Sequence, residues 1–174
     1  NIFFLLKNFA HRQQLLIFPI QKLKAMVTLA LYNLKGGVGK TAAAVNFAYL
    51  AAANNLKTLV WDLDPQGSSS FYFHVKNEKN ESKKVLNGEE PIQNAIQDSN
   101  FENLWVIPAD MSARNADLIF GESKQSKKRL KTLLNGLKGF DVVILDCPPG
   151  ISLLHENIFN AADTILMPNI PTTL

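Results

Sequence analysis

From position 26 onward, short apolar stretches alternate with glycine-rich, alanine-rich or polar segments. Five stretches have the β-branched and apolar composition of buried strands: 27–33, 57–63, 103–108, 141–145 and 164–167. Helical structure is predicted in four places: 42–53, a short helix within the polar stretch 68–87, a helical turn at 92–97, and 126–137. Strands that alternate with helices predict an α/β fold with a doubly wound, mainly parallel sheet.

The first 25 residues differ from the rest of the chain. They contain two short apolar runs, 2–6 and 15–20, and four basic but no acidic residues. Neither run reaches the roughly 18 to 20 residues that span a bilayer, so we expect no stable membrane insertion. We interpret 1–25 as an upstream or poorly ordered segment before a start at Met26, with a basic interfacial helix as the alternative. Residues 26–174 then form one domain.

Composition narrows the class of protein. The 174 residues are 47% hydrophobic and 19% charged, which excludes a disordered tail. Only one cysteine, Cys147, is present, so an internal disulfide and a multi-thiolate metal site within one chain are excluded, and a reducing cytosol is expected. Outside 1–25 the chain holds 14 of its 18 basic residues and all 15 acidic ones, so global charge does not support nucleic-acid binding.

The strongest chemical signal is the glycine loop between the first predicted strand and helix. Gly36, Gly37 and Gly39 let the backbone approach a ligand closely, and the following helix directs its N–H groups and the positive end of its dipole toward the same point. Lys40 can then contact the β- and γ-phosphates, and the Thr41 hydroxyl can ligate Mg²⁺. This arrangement predicts a P-loop for a nucleoside triphosphate.

Three motifs together resemble the ParA/MinD family of partitioning and positioning ATPases. Leu34 stands where the standard P-loop has its first glycine, and Lys35 supplies the second lysine that is typical of a deviant Walker A motif. Residues 60–67 (VWDLDPQG) resemble the family's second motif, and 142–150 (VVILDCPPG) resemble its Walker B and switch II. The resemblance covers 26–174, is nearest to ParA-type partitioning proteins, and implies a P-loop NTPase fold.

The resemblance also implies roles for individual residues. ATP would be bound by the loop residues Lys35, Gly36, Gly37, Val38, Gly39, Lys40, Thr41 and Ala42. Mg²⁺ would be held by Thr41, Asp62 and Asp146, and catalysis would use Lys35, Lys40 and Asp64. Asp64 would orient the attacking water, while Lys35 would reach the phosphates of a partner subunit. Ala42 replaces a threonine that many members use for the α-phosphate.

Each of these residues also has an ordinary structural interpretation. Asp62 and Asp64 precede Pro65 and could be turn residues. Asp146 could cap a strand end, and Lys35 could be a solvated lysine. Lysines 124, 127, 128 and 131 form a stripe that could meet phosphates, although such a stripe is more often the wet side of a helix packed through leucines. Cys147 is expected to be a small buried residue and His155 to be structural.

At the level of function, the resemblance implies a bacterial, cytoplasmic and nucleoid-associated ATPase. Such a protein forms an ATP-dependent homodimer, binds DNA nonspecifically and is stimulated by a ParB-like protein. The alternatives are a MinD-like positioning ATPase, a synthetase or redox enzyme on the same fold, and a non-catalytic remnant; a bridging iron–sulfur cluster is disfavoured by the single cysteine. Because the family domain continues beyond the fifth predicted strand, we expect a C-terminally truncated domain that is poorly soluble alone.

Overall fold

The computed structural model describes residues 26–76, 81–111 and 127–171. The segment 1–25, Lys124, the start of the helix predicted at 126 and the last three residues lie outside this part of the chain. Within it, no helix is long and apolar enough to cross a bilayer.

The described residues form one six-stranded sheet in the order β3-β4-β2-β5-β1-β6. Its strands are β1 Val27–Leu31, β2 Thr58–Asp62, β3 Gln97–Asp98, β4 Leu104–Ile107, β5 Val142–Asp146 and β6 Thr164–Leu166. All neighbours pair in parallel except β3 and β4, which are antiparallel. The predicted mainly parallel sheet is therefore confirmed, and all five predicted strands are present. The sixth strand, β3, was not predicted and lies at an edge.

Five α-helices occur among the described residues: α1 Lys40–Ala53, α2 Ser68–Tyr72, α3 Glu81–Asn87, α4 Arg129–Asn135 and α5 Leu153–Ala161. The prediction of a single short helix within 68–87 was wrong, because this region contains both α2 and α3. The predicted turn at 92–97 is a 3₁₀ helix, Ile92–Ala95, followed by the start of β3. Helix α5 was missed, because its short apolar face follows a Pro-Pro-Gly break and includes the buried polar residues His155 and Asn157.

Helices cover both faces of the sheet, which confirms the doubly wound architecture. Along β2, Leu59 and Trp61 point into the core beneath α3, α4 and α5, whereas Val60 points to the opposite face, where α1 packs. This alternation follows from the two-residue period of a strand. Because both faces are buried, β2 is buried at every position and its sequence reads as a continuous apolar run that ends in Asp62.

The strand order places three carboxyl ends side by side at the centre of the sheet. β5 lies between β1 and β2, and Asp146 at its end is in register with Leu31 on one side and Asp62 on the other. Ligands of open parallel sheets bind outside such carboxyl ends. The glycine loop follows β1, and the other two motifs include the ends of β2 and β5, so the three predicted motifs are brought to one edge of the sheet.

Candidate nucleotide-binding site

The glycine loop joins β1 to α1 and leaves an open cradle. Gly37 and Gly39 have φ angles of +75° and +92°, which side chains of L-residues rarely adopt. Among the described residues, a Cβ at Gly36, Gly37 or Gly39 would meet no atom within 4 Å, so this part of the structure leaves space for a ligand in front of the loop. Gly39 precedes α1, and no side chain of the described residues caps this helix. The first N–H groups of α1 are therefore available to an anion.

Lys40 is only 6% exposed, and its Nζ donates a hydrogen bond to the carbonyl oxygen of Lys35 at 3.0 Å. The ammonium group of Lys40 is thus held against the backbone of the P-loop. Lys35 itself has an exposed side chain, and its N–H donates to Asn33 Oδ1 at 2.9 Å. The Nδ2 of Asn33 donates in turn to the carbonyl oxygen of Pro168 at 2.8 Å, which ties the start of the loop to the segment after β6.

An open cleft of about 570 Å³ lies in front of the loop. Three segments line it: Gly36, Gly37, Gly39, Lys40, Thr41 and Ala42 from the P-loop; Asp64, Pro65, Gln66 and Ser68 after β2; and Pro148 and Pro149 after β5. The structure therefore brings most of the predicted nucleotide-binding residues and Asp64 to one cleft. Lys35, Val38, Asp62 and Asp146 do not line the cleft.

Asp146 is fully buried, and within the described residues no group forms a hydrogen bond of good geometry with its carboxylate oxygens, although the hydroxyls of Thr41 and Ser69 lie close to them. Burial raises its pKa to about 7; the negative charge of Asp62 adds to this shift, while the hydroxyl groups of Thr41 and Ser69 oppose it. A buried, unpaired carboxylate is costly unless a cation compensates it. The pair of Asp146 and Thr41 therefore fits a Mg²⁺ ion, which prefers oxygen ligands and often uses few of them from the protein.

Asp62 is also buried, and its carboxylate is engaged by the protein itself. Oδ1 accepts from the N–H of Asp64 at 3.2 Å, and Oδ2 accepts from the N–H and the Oγ–H of Ser70 at 2.8 and 2.7 Å. Burial raises its pKa, and these hydrogen bonds oppose the shift. In the described structure, Asp62 thus fixes α2 against the end of β2. Its role as a metal ligand remains a prediction.

Asp64 is half-buried at the cleft. Its Oδ1 accepts from the N–H of Gln66 at 2.9 Å, and its carbonyl oxygen accepts from the N–H of Gly67 at 2.9 Å. The residue therefore forms the turn that the ordinary interpretation predicted, and it also lines the cleft. The hydrogen bond to Gln66 fixes the direction of the Asp64 carboxylate.

Sequence reasoning missed the serines that follow Asp64. Ser70 joins Asp62 to Ala109, whose N–H donates to Ser70 Oγ at 2.9 Å. Ser69 is fully buried, its hydroxyl lies close enough to Asp62 and Asp146 to lower the pKa of both, and Ser68 lines the cleft. The signal in the sequence is the run of three serines directly after the Asp-Pro-Gln-Gly turn, because small hydroxyl residues suit a crowded polar junction.

Two expectations about residues outside the cleft are confirmed. Cys147 is buried, and burial raises the pKa of its thiol, so it is a small core residue rather than a nucleophile. Lys128, which precedes α4, and Lys131 on α4 are exposed, whereas Leu130 and Leu134 are buried in the core. The remaining described lysine of the stripe, Lys127, forms an ion pair with Glu156 at 2.9 Å.

Known proteins are similar to this chain in sequence and in fold. The AAA domain family matches residues 26–174. The chain is 33% identical over 145 residues to the chromosome partitioning protein ParA of Caulobacter vibrioides, covering 80% of this chain and 54% of that protein. It is 32% identical over 143 residues to the sporulation initiation inhibitor protein Soj of Bacillus subtilis, covering 80% and 56%. The chain thus spans about half the length of these relatives.

Solved structures of similar fold include nucleotide-binding and partition proteins. Cobyrinic acid a,c-diamide synthase from Mycobacterium smegmatis, solved with a bound ATP analogue and magnesium, superposes with a TM-score of 0.75 at 31% identity, covering 83% of this chain and 60% of that one. A plasmid partition protein from Borrelia burgdorferi gives a TM-score of 0.70 at 27% identity, covering 83% and 65%. The chain therefore belongs to the AAA domain family and, within it, to the ParA/MinD group of deviant Walker A ATPases that its three motifs predicted.

Proposed function

We propose that this chain is the nucleotide-binding part of a partitioning ATPase that binds ATP with Mg²⁺ and hydrolyses it. The observation that carries the proposal is the pairing of an open phosphate cradle with the buried, unpartnered carboxylate of Asp146 next to Thr41. The cradle suits an anion and Asp146 suits a cation, and a magnesium–nucleotide complex supplies both. The bound ATP analogue and magnesium of the structurally similar synthase support this choice.

Different residues of the chain would bind the phosphates, hold Mg²⁺ and orient the attacking water. The N–H groups of 36–41 bind phosphate oxygens, and Lys40 exchanges its hydrogen bond to Lys35 for one to the β- and γ-phosphates. Thr41 and Asp146 would hold Mg²⁺, and Asp62 is the third predicted ligand. The ion, when bound, would neutralise charge on the phosphates. Asp64, fixed by Gln66, orients the attacking water.

We further propose that ATP joins two copies of this chain across the cleft. Lys35 is exposed and adjoins Gly36, which lines the cleft, while Leu34 is 54% exposed and Ile151 is 77% exposed. The N–H of Gly150 donates to the carbonyl oxygen of Leu34 at 3.2 Å, so these segments form a continuous rim. A rim that combines exposed apolar side chains with a lysine suits a second copy that buries the apolar groups and receives Lys35 at its phosphates.

The wider role follows from the relatives. The names of the Caulobacter and Borrelia proteins support a role in chromosome or plasmid partitioning. We propose a cytoplasmic, nucleoid-associated switch that binds DNA nonspecifically in its ATP state and releases it when a ParB-like protein stimulates hydrolysis. ATP-dependent sedimentation with anionic vesicles, but not with DNA, would instead favour a MinD-like positioning role.

Calorimetry with Mg·ATP tests nucleotide binding. We expect the 174-residue chain to bind, Lys40→Ala to abolish binding, and Lys138→Ala, which removes an exposed lysine beyond α4, to bind as the parent does. Equal affinity of the parent and Lys40→Ala would contradict the proposal.

Hydrolysis is tested separately with Asp64→Ala. We expect this variant to bind ATP almost normally and to hydrolyse it roughly 10² to 10⁴ times more slowly if Asp64 acts as a general base. Lys35→Ala tests the dimer, because it should remove the rise of specific activity with protein concentration. Unchanged turnover in Asp64→Ala would remove this residue from the mechanism.

A further inference from the structure

The loop 148–150 forms one wall of the cleft and is held from behind by two aromatic side chains. Tyr32, just after β1, donates its hydroxyl hydrogen to the carbonyl oxygen of Gly150 at 3.1 Å. Nε2 of His155, in the first turn of α5, lies 3.1 Å from the carbonyl oxygen of Pro148. Both side chains are buried. Each end of the loop is therefore attached to a different element of the fold.

The contacts of His155 determine the position of its proton. A carbonyl oxygen can only accept, so Nε2 must donate to Pro148. Nδ1 lies 3.1 Å from Ser152 Oγ and accepts the hydroxyl hydrogen of that residue. Both ring nitrogens are thus used, one toward the loop and one toward the residue that precedes α5. His155 therefore links the loop to the start of this helix.

Ring packing holds the two side chains in place. The rings of Tyr32 and His155 meet edge to face, with centroids 5.4 Å apart, and Phe159 packs against Tyr32 at 4.8 Å. Such pairs add to the stability gained from burial and restrict rotation of the rings. Gly150 is tied a second time through its N–H to Leu34, and its φ of +107° fits glycine alone at low cost.

We propose that Tyr32 and His155 are positioning residues that set the distance of the loop 148–150 from the P-loop, and thereby the preference for ATP over ADP. The inference rests on the proposed function. ATP carries one phosphate more than ADP, and Asp64, Pro148 and Pro149 line the same cleft as the P-loop, where that phosphate would be received. A loop fixed at both ends offers that phosphate a preformed wall, whereas a loose loop must be ordered at the moment of binding.

Loop order is measured first, without nucleotide, by amide hydrogen exchange of the 174-residue chain. Tyr32→Phe removes one hydroxyl and His155→Leu removes both ring hydrogen bonds. We expect exchange at Gly150 to rise about fivefold in Tyr32→Phe, the factor that one hydrogen bond contributes. His155→Gln, whose amide nitrogen can reach the position of Nε2, should restore the parental rate. Tyr49→Phe, which removes a hydroxyl from another tyrosine that packs edge to face on a phenylalanine, is the matched control.

The ratio of ATP to ADP affinity is measured next in Mg²⁺. We expect this ratio to fall several-fold in Tyr32→Phe and His155→Leu, because ATP binds more weakly while the affinity for ADP stays the same. In His155→Gln and Tyr49→Phe the ratio should equal that of the parent. Unaltered exchange in Tyr32→Phe and His155→Leu would overturn the inference. So would faster exchange with an unchanged ATP to ADP ratio, because the residues would then be structural only. A parent that binds neither nucleotide would refute the proposed function, while faster exchange in the variants would still support the attachment of the loop.

Discussion

The replacement Asp146→Asn separates the cost in stability of the buried carboxylate from its predicted role in binding Mg²⁺. Asparagine has nearly the same shape but carries no charge. In the parent, burial raises the pKa of Asp146 from 3.8 to about 7. Between these two pH values the folded chain keeps a proton that the unfolded chain has released. The free energy of unfolding of the parent must therefore fall as pH rises through this interval and level off above pH 7.

The size of the effect follows from the width of the interval. One pH unit corresponds to about 1.4 kcal/mol for one proton. From pH 5 to pH 7, the free energy of unfolding of the parent should fall by about 2 to 3 kcal/mol relative to Asp146→Asn. The amide has its own unsatisfied hydrogen-bonding groups, but their cost does not depend on pH and cancels from this change. The free energy of unfolding of the variant, relative to that of the parent, should thus rise steadily up to pH 7.

Urea unfolding at pH 5, 6, 7 and 8 without metal measures this difference. Asp98→Asn, which removes an exposed carboxylate from β3, is the control for net charge. At pH 8, Mg²⁺ with ATP should then stabilise the parent and have little effect on Asp146→Asn, because the amide cannot offer the ion a charge. A constant offset between the two proteins across the pH range would refute the assignment of a raised pKa. An equal response to Mg²⁺ would refute Asp146 as a metal residue.

Three further predictions concern single contacts. Gly39→Ala should lower stability by about 1 to 2 kcal/mol and weaken ATP binding, because φ at this position is +92°; an unchanged melting temperature would contradict the strain. Ser70→Ala should lower the urea-derived stability by about 1 to 3 kcal/mol, because it leaves Asp62 and the N–H of Ala109 without this partner. Ile165→Lys, on the exposed edge strand β6, should reduce light scattering of the 174-residue chain without changing its unfolding midpoint; equal scattering would exclude this edge as a cause of association.

The central strands and the phosphate loop could be predicted because their signals are local. A strand buried on both faces reads as an unbroken apolar run, and the glycine spacing of the P-loop reflects backbone angles that only glycine adopts easily. β3 could not be found in this way, since its two residues are too few to show a period and its pairing with β4 depends on the tertiary fold. Helix α5 was missed because buried His155 and Asn157 make its inner face look polar.

The candidate site shows the same division. The motifs predicted which residues would contact a ligand, but not which residues hold those side chains in place. Ser70 is recognisable as the partner of Asp62 only once α2 has turned back over the end of β2. Tyr32 and Gly150 are 118 positions apart, and no local pattern relates them. Residues of this kind satisfy requirements that arise from packing, so they become visible only in the folded chain.

The position of Asp146 explains why the site lies where it does. β5 separates β1 from β2, so the carboxylate at its end stands between the P-loop and the turn of Asp64, without access to water. The two neighbouring strands end in Leu31, which offers no cation, and in Asp62, which adds a second negative charge. The fold therefore concentrates an unfavourable interaction at the edge of the sheet that the phosphate loop also borders. A ligand at 100 times its dissociation constant stabilises a folded protein by about 2.7 kcal/mol, which is comparable with the 2 to 3 kcal/mol expected for this carboxylate between pH 5 and 7. Binding of a magnesium–nucleotide complex would thus offset the cost of burying the Asp146 carboxylate.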